Sequence, residues 1–111
     1  MHYDASILLV DDYEFIRTIL ERMLQQLGYQ NLRMAADGVD ALHLLRTQPV
    51  DLVITDYHMP EMDGIGLFQS MQQDPVLAKI PVLLISGVPT EKFVTQALAT
   101  GIQSTLNKPF R

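Results

Sequence analysis

At 111 residues the chain is long enough for one compact hydrophobic core and too short for two. Its 13 acidic residues against 8 basic ones, a net charge of −5, argue against direct nucleic-acid binding, because phosphate recognition needs clustered Lys and Arg. The absence of Cys excludes disulfides, thiolate metal sites and a cysteine nucleophile and fits a cytoplasmic location, while no apolar run approaches the roughly 20 residues of a membrane span.

Along the chain, short apolar runs alternate with amphipathic stretches, the pattern of βα units that build a parallel sheet covered by helices on both faces. A first strand is expected near Ser6 to Val10. Glu14 to Leu27 follows as a helix, with Ile16, Ile19, Leu20, Met23, Leu24 and Leu27 on one face and Gly28 as its stop. Leu32 to Ala35 reads as the second strand. Asp37-Gly38 opens a second helix to about Thr47, with Ala41, Leu42 and Leu45 inward and Pro49 beyond its end. The third strand is Leu52 to Thr55, and Asp63 caps a third helix running to about Gln73. Val82 to Ile85 makes a fourth strand, Thr90 to Thr100 a fourth helix ended by Gly101, and Ser104 to Asn107 a fifth strand. No repeat, low-complexity tract or linker interrupts this order, so residues 1–111 read as one domain.

The strand ends carry the chemistry. Asp11 and Asp12 directly follow the first strand and Asp56 directly follows the third, so three carboxylates share the edge where open α/β folds bind ligands. If those strands are neighbours, the like charges repel unless a cation relieves them, and all-oxygen ligation favours Mg²⁺ or Mn²⁺ over zinc. Ser86 after the fourth strand and Lys108 after the fifth point a hydroxyl and an ammonium at the same edge, which suits the oxygens of a phosphoryl group. Asp56 is then the natural nucleophile. Taken singly, each residue is more often a cap, a turn or an exposed charge. Four strand ends each delivering a suitable polar group to one edge are hard to explain that way. His2, His43 and His58 lack metal-ligand spacing, and a solvated role is the expectation for the first two.

With these residues in hand, the sequence resembles the receiver domains of two-component response regulators, the CheY-like superfamily. The resemblance covers the whole chain and rests on Leu8-Leu9-Val10-Asp11-Asp12, Asp51-Leu52-Val53-Ile54-Thr55-Asp56-Tyr57-His58-Met59-Pro60-Glu61-Met62-Asp63-Gly64, Ile85-Ser86-Gly87 and Asn107-Lys108-Pro109-Phe110. It implies a doubly wound five-stranded parallel sheet in the flavodoxin-like order 2-1-3-4-5. It also implies that Asp56 accepts a phosphoryl group from a phosphohistidine on a sensor histidine kinase or phosphotransfer protein. Asp12, Asp56 and the backbone carbonyl of His58 would hold Mg²⁺ directly and Asp11 mainly through water. A downstream output domain or effector would read the change, so the chain is expected to be a signalling switch that catalyses its own phosphorylation and dephosphorylation.

Two features depart from the family. Where the usual switch has an aromatic three positions before the lysine, this sequence has Thr105, so a rotating ring is not the reporter. After Lys108-Pro109-Phe110 no segment for a fifth helix follows. The expectation is that strands one and five expose apolar side chains beside the first helix, which a homodimer or further sequence would cover. A haloacid-dehalogenase-type phosphatase also uses an Asp after an apolar strand, but its motif has a second Asp where His58 stands. A phosphorylation-independent interaction domain is the third reading, weakened by the retention of all five acid, hydroxyl and lysine positions.

Overall fold

The computed structural model describes residues 4–56 and 64–85. Within them the chain runs β1 (Ile7–Val10), α1 (Glu14–Gln26), β2 (Leu32–Ala35), α2 (Gly38–Thr47), β3 (Leu52–Asp56), α3 (Gly64–Gln72), a 3₁₀ turn (Leu77–Lys79) and β4 (Val82–Ile85). The strands are all parallel and lie in the order β2-β1-β3-β4, the first four places of the expected sheet. The fourth helix, the fifth strand and the Asp63 cap expected from the sequence fall outside the described residues.

Burial on both faces explains why β1 and β4 are unbroken apolar runs: every residue of both is buried. Side chains alternate between two cores. Ile7, Leu9, Leu52, Ile54, Leu83 and Ile85 pack with Ile16, Leu20 and Leu24 of α1. Leu8, Val10, Val53, Val82 and Leu84 pack on the other face with Ala41, Leu42 and Leu45 of α2 and Leu67 and Met71 of α3.

The exposed apolar strip expected on strand one is not found. Ile7 and Leu9 are 0% exposed, because both lie in the cluster built with α1. The strand-five half of that expectation falls outside the described residues, and the argument for a homodimer loses the strand-one surface on which it stood.

Local chemistry sets the element ends. After α1, Gly28 takes φ 104°, its N–H donates to the Gln25 carbonyl at 3.0 Å, and the Tyr29 N–H donates to the Leu24 carbonyl at 2.9 Å. This is a Schellman end, and Tyr29 and Leu24 meet in the core as its hydrophobic contact. Asp37 caps α2 by accepting from the Asp40 N–H at 2.8 Å. At the opposite edge of the sheet, the Ser6 N–H donates to Asp51 Oδ2 at 2.7 Å and the Asp51 N–H donates to the Ser6 carbonyl at 2.7 Å, which locks the starts of β1 and β3 together.

Candidate functional site

The sheet order decides where the acidic residues meet. β1 and β3 are neighbours with Val10 level with Thr55, so Asp11, which follows β1, emerges beside Asp56, the last residue of β3. Asp11 and Asp12 from one strand and Asp56 from the other each offer a carboxylate oxygen, and these oxygens lie within 4.8 Å of one another. The condition attached to the sequence reading, that strands one and three be adjacent, is met.

The three carboxylates differ in burial. Asp11 is 1% exposed, its N–H donates to the Ala35 carbonyl at 3.2 Å, and its Oδ1 accepts from the Tyr13 N–H at 2.8 Å. Its pKa is pushed up from 3.8 to about 6, first by burial and then by the charges of Asp56 and Asp12 and a hydrogen bond with Asp12, against the lowering effect of the Tyr13 N–H. Asp12 and Asp56 are half-buried.

The capping role weighed for Asp12 is absent. The residue capping α1 is Tyr13, with no side-chain bond to the helix, and Asp12 Oδ1 is buried with no hydrogen-bond partner among the described residues. An acceptor left bare among other carboxylates has no structural rationale of its own, since burial of an unsatisfied acceptor costs about 1–3 kcal/mol. A hard divalent cation would satisfy it. The all-oxygen, anionic donor set fits Mg²⁺ in particular, which keeps several waters and takes only a few carboxylates.

Of the other expected site residues, His58, Ser86 and Lys108 fall outside the described residues, as does Thr105. His43 is exposed, in keeping with a solvated role. Two residues near the site carried no signal in the sequence. Thr55 is 0% exposed and its hydroxyl donates to the Asp56 carbonyl at 3.1 Å, so a polar group sits inside the central strand. Arg17, half-buried on the first turns of α1, donates from Nη1 to the Asp11 carbonyl at 2.6 Å. Its distance of six positions from Asp11 could have suggested a reach back across the turn, but helix periodicity alone marks it as a surface charge.

Residues 7–111 match the model of the response regulator receiver domain. The chain belongs to that family. It is 34% identical over 110 residues to chemotaxis protein CheY-3 of Vibrio cholerae, covering 99% of this chain and 85% of the relative. It is 35% identical over 105 residues to chemotaxis protein CheY of Pseudomonas aeruginosa, covering 95% of this chain and 85% of the relative. Among solved structures, the signal receiver domain of a signal transduction histidine kinase from Syntrophus aciditrophicus superposes with a TM-score of 0.73 at 32% identity, covering 96% of this chain and 80% of that one. As a receiver domain the chain is a signalling switch of two-component systems, and the haloacid-dehalogenase reading is set aside. Among the described residues no helix is long and apolar enough to cross a membrane.

Proposed function

We propose that Asp56 is the phosphoacceptor of this receiver domain and that Asp11, Asp12, Asp56 and the His58 carbonyl hold a Mg²⁺ ion, Asp11 through water. The observation that carries the reading is the meeting of three carboxylates from the ends of β1 and β3, with Asp12 Oδ1 buried and bare. Bound Mg²⁺ would supply positive charge against the oxygens of an incoming phosphoryl group.

The residues of the chain would do the rest. An oxygen of the Asp56 carboxylate forms the new O–P bond while the P–N bond of a phosphohistidine on a sensor kinase or phosphotransfer protein breaks, and the electron pair leaves with the imidazole nitrogen. Lys108 would neutralise one phosphoryl oxygen and Ser86 would donate a hydrogen bond to another. Attack of water on the aspartyl phosphate returns the free carboxylate and inorganic phosphate, which resets the switch. The charge added at Asp56 biases two conformations that a downstream domain or effector distinguishes, in the cytoplasm where such partners meet.

Incubation with a small phosphodonor and Mg²⁺ should add one phosphoryl group to the intact protein through a hydroxylamine-sensitive bond. Asp56→Asn should abolish that labelling. Labelling of the Asn variant at the wild-type rate overturns the assignment.

A further inference from the structure

The turn between β1 and α1 carries two of the three carboxylates, yet no side-chain helix cap anchors it to the helix that follows. Tyr13, at the helix start, makes no side-chain capping bond and is 65% exposed. One residue reaches both ends of the turn. The backbone N–H of Arg17 donates to the Tyr13 carbonyl at 3.2 Å, and its guanidinium donates from Nη1 to the Asp11 carbonyl at 2.6 Å. The second contact is short and charge-assisted, the stronger class of hydrogen bond. It is made to the backbone of a residue only 1% exposed, so little water is at hand to replace it.

We infer that Arg17 is a positioning residue for the metal pair: by clamping the Asp11 carbonyl to the first turns of α1 it sets the path of Asp11 to Tyr13 and so the direction in which Asp12 presents its bare oxygen. The clamp acts through the backbone. The guanidinium is bonded to the carbonyl of Asp11, whereas the Asp11 carboxylate is engaged by the Tyr13 N–H and by Asp12. Mg²⁺ demands near-ideal octahedral placement of its ligands, so a turn free to shift lowers affinity even with every carboxylate retained. The inference rests on the metal site proposed above and concerns how that site is held.

The test is a Mg²⁺ titration followed by calorimetry on the full chain, with thermal unfolding and the phosphodonor reaction measured in parallel. Arg17→Gln, which is uncharged and too short to reach the Asp11 carbonyl, should raise half-saturating Mg²⁺ about five- to tenfold. Arg17→Lys, which keeps the charge and a single donor, should raise it about twofold. At saturating Mg²⁺ both variants should phosphorylate within about twofold of wild type, because the reacting groups are untouched. A variant that unfolds at lower temperature but binds Mg²⁺ like wild type shows a purely structural arginine and overturns the inference. Should the Gln variant fail to fold, the Lys variant decides alone, and wild-type affinity there has the same force. Failure of wild type itself to bind Mg²⁺ overturns the metal site, and the clamp with it.

Discussion

Asp11 concentrates the conflict built into this site. Its folded-state pKa of about 6 stands above its usual 3.8, so between those values the folded chain binds the proton more tightly than the unfolded one. The stabilisation that protonated Asp11 provides is complete below pH 3.8 and is lost as pH rises through about 6. In chelator, Asp11→Asn keeps an acceptor for the Tyr13 N–H but removes the charge, so its advantage over wild type should grow with pH and reach roughly 2–3 kcal/mol at pH 7. Urea unfolding of both proteins from pH 4 to 7 reads this directly. A gap that does not change with pH refutes it, and addition of Mg²⁺ at pH 7 should narrow the gap, since the cation favours the charged carboxylate that burial and the neighbouring acids oppose.

Elements differ in how openly their ends are written. α2 starts where Asp37-Gly38 says it should, with the Asp37 carboxylate on the Asp40 N–H. Asp37→Ala should therefore cost about 0.5–2 kcal/mol in chemical denaturation, and a loss below about 0.3 kcal/mol would mean that water caps the helix as well as the carboxylate does. α1 starts without such a residue. Its first turn is shaped by Asp11 accepting from Tyr13 and by Arg17 reaching back, contacts across two and six positions that no capping pattern announces. Its end, by contrast, follows from Gly28, the residue suited to a positive φ. The 3₁₀ turn Leu77–Lys79 is likewise unmarked by apolar periodicity. Asp74 holds its entry by accepting from Val76 and Leu77 at 2.9 and 3.3 Å, and Leu77 reaches the core.

For the molecule as a whole, the site ties together the two inner strands of the four described. Asp11 and Asp12 leave β1 and Asp56 ends β3, the pair that shares both cores and whose starts are joined by Ser6 and Asp51. A ligand that binds only this arrangement raises global stability by mass action, about 2.7 kcal/mol at a hundredfold excess over its dissociation constant. Thermal unfolding followed at increasing Mg²⁺ should accordingly shift upward by several degrees for wild type. Asp12→Ala should show no such shift. An equal shift in that variant would place the stabilising ion elsewhere.

Much of this protein is legible in its sequence because each element is dictated by local periodicity. The apolar runs of β1 and β4 can be satisfied only by a sheet covered on both sides, and Ile16, Leu20 and Leu24 return at helical spacing to cover one of them. Asp11, Asp12 and Asp56 stand out for a similar reason, as acids placed just where buried strands reach solvent. What only the tertiary structure decided depends on neighbours remote in the chain. The adjacency of β1 and β3, with β2 sent to the outside, turns three acids into one cluster, and burial of Asp11, aided by the charges of that cluster, lifts its pKa. Burial of Ile7 and Leu9 removes the strand-one part of the apolar strip that the sequence led one to expect, because coverage depends on how α1 lies across the sheet. The bare oxygen of Asp12 and the reach of Arg17 belong with these, since a hydrogen bond made or left unmade is set by where the backbone of the turn runs in space.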